Sequence, residues 1–317
     1  MVGVSMKRVI VTGAGGFVGR QLCQELAAQT DWHLVLIDNV LSHISLPKKR
    51  VTLIEKGLQE EGVLNDAFAK PCDILFHLAA VPGGAAEQDP TLSKTVNLDA
   101  TLAIFERAAE QDNCPRIVFT STIAVLGAPM PEVVDDASPI VPAMTYGAHK
   151  AMIELALLDL TRRGLVDSVS VRLPGIIARP LAKNGLKSAF LSNVFHLLAS
   201  EKPFVSPVSQ QATMWLMSVQ QCAKNLYHAS LLDSALMPVS RVVTLPALRV
   251  GMTELVEEIV VQTGASMSLV TWQPDSGLEE GFGKQPPLFT PAAEKAGFER
   301  DNSLSVLVAN GLSLTSV

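Results

Sequence analysis

Tyr146 and Lys150 stand four residues apart in Tyr146-Gly147-Ala148-His149-Lys150, so a helix through this stretch puts both side chains on one face. A phenol with a pKa of about 10 is a poor base at neutral pH, and a nearby ammonium that stabilises the phenolate makes it a usable one. Such a pair suits proton transfer to or from a substrate oxygen. The hydroxyl-bearing run Phe119-Thr120-Ser121-Thr122 ends 24 residues before that tyrosine. The only other tyrosine, Tyr227, lies in an amphipathic stretch without such neighbours. Taken singly, Tyr146 and Lys150 also fit an ordinary helix pair, and Thr122 a turn cap.

A second chemical signal is Thr12-Gly13-Ala14-Gly15-Gly16-Phe17-Val18-Gly19. Gly13 allows a tight turn, Gly16 lets backbone approach a pyrophosphate, and Gly19 lets helix pack on strand. The N–H groups at the helix start, around Phe17 and Val18, would face the anion. Glycines at this spacing also fit a loop that merely needs positive φ. Asp38 follows Gly19 by 19 residues, where a carboxylate accepts ribose hydroxyls and repels a 2′-phosphate. A strand-end turn carboxylate is its plain alternative. Strand, glycines and acid together predict a dinucleotide cofactor, NAD over NADP; Arg20 and Lys48-Lys49-Arg50 are the cations that would serve a phosphate instead.

These residues need a frame that brings them together. Continuous apolar runs at 8–12, 34–37, 51–54, 74–78, 117–120 and 169–173 predict strands buried on both faces of a parallel sheet. Helical spacing at 17–28, 97–111 and 146–163 falls between them, so repeated βαβ units predict an α/β, doubly wound parallel sheet. Residues 180–217 mix Pro, Gly, Lys and Ser around an amphipathic stretch at 190–198. Further on, 241–245 reads as a returning strand, 253–262 as a helix capped by Thr253, 268–271 as a strand and 304–310 as a helix. The expected organisation is a Rossmann domain over 1–179, with the returning strand, and a mainly substrate-binding region over 180–317.

Composition excludes several classes. With 317 residues, 48% hydrophobic and 18% charged, the chain can bury a large core. The net charge of −6 and the scattered cations leave no basic face for nucleic acid. Cys23, Cys72, Cys114 and Cys222 show no paired spacing and read as small hydrophobes in a reducing compartment. No apolar run reaches membrane-span length, and 1–7 lacks the order of a signal peptide. The expected location is cytoplasmic. His77 and His149 bring no companion ligands, so no metal is expected.

The glycine motif, the strand ending at Thr122 and Tyr146-x-x-x-Lys150 together resemble the extended short-chain dehydrogenase/reductases, the NAD-dependent epimerase/dehydratase group. His77-Leu78-Ala79-Ala80 and Asn97-Leu98-Asp99-Ala100-Thr101 match family positions as well, although Asn97 alone also fits a helix N-cap. The resemblance is clear from Lys7 to Arg179 and looser beyond. It implies that Thr122, Tyr146 and Lys150 are catalytic, with Ser121 as a substitute for Thr122. It implies too that Gly13, Gly16, Phe17, Val18, Gly19, Asp38, Leu78, Ala79, Ala80, Asn97, Tyr146 and Lys150 hold NAD.

Where sugar-nucleotide members carry Arg-x-x-Asn-x-Tyr-Gly-Pro, this chain has Arg172-Leu173-Pro174-Gly175-Ile176-Ile177-Ala178-Arg179-Pro180. Gly175 replaces the Asn, which argues against a nucleotide-sugar epimerase or dehydratase, the alternative function. Leu58 follows Gly57 where many relatives place Asp for the adenine. Leu191–Phe195 and Ala212–Val219 look like the branch that oxidises D-erythronate-like sugar acids. That resemblance implies a small sugar-acid substrate touched by Thr122, Tyr146, Arg179, Ser192, Asn193 and Thr213, Arg179 facing the carboxylate; a salt bridge is the other reading of Arg179. Apolar residues on more than one face of 97–111 and 146–163 suggest a homodimer, with coverage by the second half as the alternative.

Overall fold

The structure, a computed structural model, describes residues 6–42, 44, 46–127, 129–181 and 188–315. The first six strands are β1 (Arg8–Thr12), β2 (His33–Asp38), β3 (Val51–Glu55), β4 (Ile74–His77), β5 (Arg116–Thr122) and β6 (Asp167–Leu173). The next six are β7 (Gly175–Ile177), β8 (Phe204–Ser206), β9 (Thr213–Ser218), β10 (Val242–Thr244), β11 (Leu248–Gly251) and β12 (Val270–Trp272). The chain forms two compact units. One takes Met1–Thr122, Met144–Arg172 and Ala223–Val243, and the other Ile123–Ala143, Leu173–Cys222 and Thr244–Val317. They interleave along the chain, where the sequence reading places a break at 179 and returns only the 241–245 strand to the first domain.

The first unit is built on a seven-stranded parallel sheet in the order β10-β6-β5-β4-β1-β2-β3. β1 pairs with β2 on one side and β4 on the other, Thr12 lying opposite both Ile37 and His77. Strand order therefore reverses at β1/β4, the switch point beyond whose carboxyl ends doubly wound sheets bind ligands. Ile10, Val35, Leu75, Ile117 and Phe119 from the sheet pack with Ile104, Phe105, Ile153 and Leu157 from the covering helices. The 51–54 run departs from two-faced burial: β3 is the edge strand and leaves Leu53 54% exposed.

The predicted helix at 97–111 is also corrected. Residues Lys94–Ala100 form a wider π turn, and a regular helix begins only at Thr101. The hydroxyl of Thr101 also donates to the carbonyl of Val96, five residues back.

In the second unit β9 pairs antiparallel with β11 and parallel with β7, and β8 pairs parallel with β12. The helices Phe190–Ala199, Met252–Thr263 and Leu304–Leu312 bring Phe195, Val256, Ile259 and Leu307 into one core with Leu216 and Val250. Gly251, not Thr253, precedes the first turn of the Met252–Thr263 helix, and Glu254 accepts its N–H at 2.9 Å. Thr253 instead donates to the carbonyl of Gln210 at 2.9 Å. Burial pushes the Cys23, Cys72 and Cys222 thiols up to about 12. Cys114 breaks the expected pattern, being exposed on a residue with positive φ of 46°.

Candidate active site

β1 ends in the glycine loop, and two neighbours shape it. Gly13 has φ +70°, and a Cβ there would lie 2.6 Å from the N–H nitrogen of Ala79, so only glycine lets the loop after β1 close on the loop after β4. A Cβ on Gly19 would meet the carbonyl oxygen of Gly13 at 2.0 Å. Gly13 and Ala14 donate to the carbonyl of Ile37 at 2.9 and 3.3 Å, while Gly15 donates to Asp38 Oδ2 at 2.9 Å. Asp38 therefore ends β2 against the loop.

No side chain caps the Phe17–Gln29 helix at Gly16, and Gly16 is exposed while Phe17 and Val18 are half-buried. Uncapped N–H groups, a backbone clear of Cβ atoms and an acid at the next strand end fit the diphosphate and ribose of NAD. Arg50, considered above for a 2′-phosphate, donates instead to the carbonyls of Thr30 and Ala27 at 2.6 and 3.2 Å. Leu58 turns its side chain into the core.

Below the loop sits His77, fully buried. Its Nδ1 is 2.9 Å from Thr12 Oγ1 and its Nε2 is 3.0 Å from Thr101 Oγ1, and Ala79 N–H donates to the same Thr12 hydroxyl at 3.3 Å. Burial, helped by the charge of Lys150, holds its pKa well below the usual histidine range, so a neutral ring links β1, β4 and the helix beginning at Thr101. Leu78, Ala79 and Ala80 follow it, half-buried. Asn97 clamps the end of that loop, accepting from Val81 N–H at 2.7 Å and donating to Val81 C=O at 3.0 Å. It also donates to Ser93 Oγ, which meets His149 Nδ1 at 3.0 Å. Asn97 is thus a brace for the loop after β4, not a helix cap.

The Thr145–Arg162 helix runs beside β5. Lys150 is buried, and its Nζ donates to the carbonyl of Thr120 at 2.8 Å. The same nitrogen lies 4.6 Å from the centre of the Phe119 ring and 5.7 Å from that of Tyr146. Thr120 in turn donates its hydroxyl to the carbonyl of His77 at 3.0 Å. Burial pushes Lys150 down to about 7, with Glu154 opposing the shift. Tyr146 and Thr122 are both half-buried. A Cβ on Gly83 would lie 3.8 Å from Tyr146 Cδ1, which places the Tyr146 ring near the start of the Gly83–Gln88 helix that follows β4. In the first unit the structure thus brings Tyr146 and Lys150 together with the end of β5, and the glycine loop together with Asp38 and Ala79.

Ser121 takes another part. Its hydroxyl donates to Glu154 Oε1 at 2.5 Å, and Arg172 donates to both oxygens of that buried carboxylate at 2.9 and 2.7 Å. Sequence reasoning missed this cluster, although Glu154 is a lone acid in an apolar stretch four residues beyond Lys150.

The second unit holds Arg179, Ser192, Asn193 and Thr213. Ser192 is buried and accepts the backbone N–H of Arg179 at 2.9 Å, and His196 Nε2 donates to the Arg179 carbonyl at 2.7 Å. Ser192 therefore braces Arg179. Asn193 is half-buried on the same helix. Thr213 donates to the carbonyl of Gln285 at 2.8 Å and accepts from Arg249 Nη2 at 3.2 Å. Arg249 gave no local signal because it reaches Thr213 through the antiparallel register of β9 and β11. No three His, Cys, Asp or Glu side chains gather as a metal would need among the described residues. No helix of these residues is long and apolar enough to cross a membrane.

The model of the NAD dependent epimerase/dehydratase family matches residues 9–229. A D-erythronate dehydrogenase of Cupriavidus necator is 33% identical over 314 residues, 95% of this chain and 96% of that protein. The D-erythronate dehydrogenase of Haemophilus influenzae is 33% identical over 263 residues, 82% of this chain and 84% of that protein. A solved nucleoside-diphosphate-sugar epimerase from Agrobacterium tumefaciens superposes with a TM-score of 0.85 at 29% identity, covering 96% and 92% of the two chains. With these likenesses in its sequence and its fold, the chain belongs to the NAD dependent epimerase/dehydratase family, as an NAD-dependent oxidoreductase.

Proposed function

We propose that the chain oxidises a secondary hydroxyl of a small sugar acid, D-erythronate or a close relative, to the keto acid with NAD. The single observation that carries the chemistry is the pinning of Lys150: a buried amine, fixed to the Thr120 carbonyl and lying on the Tyr146 side of the helix, supplies in its protonated form the cation that a phenolate base needs. The substrate class is supported by the two D-erythronate dehydrogenases that match over most of their length.

In this reading Tyr146 Oη takes the hydroxyl proton, Thr122 donates a hydrogen bond to the same oxygen, and Lys150 holds the negative phenol oxygen. NAD, once bound, supplies the acceptor for the hydride leaving that carbon. Gly13, Gly16, Phe17, Val18, Gly19, Asp38 and the Leu78–Ala80 loop hold the cofactor, with Asn97 acting through that loop. Arg179, braced by Ser192 and His196, meets the substrate carboxylate, and Asn193 and Thr213 assist. The first unit is then the NAD domain and the second the main source of substrate contacts.

Exposed apolar side chains on the first unit, Leu92, Met152 and Leu155, support a homodimer through that surface; sedimentation of wild type against Leu155→Lys tests it. The activity is tested by following reduced-nicotinamide absorbance with NAD and a panel of four- to six-carbon sugar acids in both enantiomers. Reduction confined to one or two acids is the expected result. No net reduction with any acid, with turnover of a nucleotide sugar instead, would put the epimerase alternative in its place.

A further inference from the structure

We propose that Glu154 is a positioning residue for Tyr146 and Lys150: clamped by Ser121 and Arg172, it is the fixed anion that keeps Lys150 a cation and ties the strand end carrying Thr122 to the helix carrying the tyrosine. The role rests on the proton-transfer reading above and assigns a task to three residues outside it.

Glu154 is 3% exposed, one helical turn beyond Lys150. A buried carboxylate is retained only when paired and hydrogen-bonded, and here three donors saturate it. Arg172 is bidentate from β6, and Ser121 comes from β5, directly before Thr122. The cluster therefore joins β5, β6 and the Thr145–Arg162 helix at the level of the proposed chemistry. The groups facing Lys150 are Tyr146 and Glu154 from its own helix, neutral His77 from β4, and the Thr120 carbonyl from β5. Arg172 is the cation paired with Glu154. Glu154 is the one anion in that set, and it opposes the loss of the Lys150 proton on burial. A purely structural ion pair would hold the same elements together with no hold over the lysine's charge.

The test reads Lys150 directly. The full chain, labelled with 13C at the lysine Cε and without cofactor or substrate, is titrated by NMR, the Lys150 signal being identified by its absence in Lys150→Met. Glu154→Gln keeps the shape and removes the charge; its Lys150 midpoint should fall by about one pH unit, and Glu154→Asp should recover at least half of that shift. With an active substrate, kcat of Glu154→Gln at neutral pH should drop roughly tenfold while KM for NAD stays within about twofold. If Glu154→Gln does not fold, the double variant Glu154→Gln/Arg172→Met removes the pair as a unit without leaving a lone buried charge, and a smaller fall in midpoint, in the same direction, is expected because the Arg172 cation is lost as well. A folded variant in which Lys150 titrates as in wild type overturns the proposal. The midpoint shift in a protein inactive on every sugar acid would remove the substrate reading and leave this role standing.

Discussion

The two units hold their polar groups in opposite ways. In the first, the groups proposed for chemistry sit at the carboxyl ends of neighbouring parallel strands, and buried side chains tie these strand ends to each other and to the covering helices: Thr12 to His77, His77 to Thr101, Lys150 to the Thr120 carbonyl, Ser121 to Glu154. In the second, the groups proposed to meet substrate lie on short strands and a helix, and most of their bonds run to backbone: Arg179 N–H to Ser192, His196 to the Arg179 carbonyl, Thr213 to the Gln285 carbonyl, with Arg249 to Thr213 the side-chain exception among them. A network of buried side chains has one arrangement that satisfies every member, which suits catalysis. Bonds to loop backbone position a chain segment while leaving side-chain identity open, which suits substrate choice.

If this contrast holds, variants in the first unit damage turnover or NAD binding and spare affinity for the acid, and variants in the second do the reverse. The largest effect is expected for Tyr146→Phe, which should lower kcat by about 10²- to 10⁴-fold while NAD affinity, measured by calorimetry, stays near wild type. A change in acid KM alone would break the comparison at its strongest point. Gly13→Ala should come next, because its Cβ meets Ala79 backbone at 2.6 Å and its φ is positive. NAD affinity should weaken by at least roughly tenfold, with a stability loss of about 1 kcal/mol or more in chemical denaturation.

Lys150→Met should abolish turnover yet raise stability, by on the order of 2 kcal/mol at pH 7. The folded-state pKa of about 7 lies below the ordinary lysine value of 10.5, so between these the unfolded chain binds more protons and wild-type stability rises with pH. The advantage of the variant should therefore be full below pH 7 and shrink towards pH 10; a melting-temperature difference that stays constant over this window would contradict a strained, buried ammonium. The smallest effects belong to the second unit. Arg179→Ala should raise KM for the acid about tenfold, and Arg249→Ala by no more than about threefold, both with unchanged NAD affinity. The reverse order would make Arg249 the carboxylate contact.

The first unit was the more legible in the sequence, and for a physical reason. Strands such as Val9–Val11 and Leu34–Ile37 are apolar throughout because both faces are covered, and the turn after β1 needs glycine at Gly13, so local residue types report the fold directly. Val51–Ile54 misled only in burial, because edge position is a property of the sheet. Thr253 looked like a cap by type alone, and Gly251 took the place because Glu254 could reach its N–H.

By itself the sequence determined the six strand runs of the parallel sheet up to Leu173, the glycine turn after the first of them, and the four-residue spacing of Tyr146 and Lys150, since each depends on residues close in the chain. Only the tertiary structure decided that Asn97 serves Val81, that Ser121 and Arg172 belong to Glu154, that Ser192 braces Arg179 and that Arg249 reaches Thr213. These partners lie between 13 and 36 residues apart in the chain; what joins them is the demand that every buried donor and acceptor find a partner, and the packed fold settles which partner is within reach.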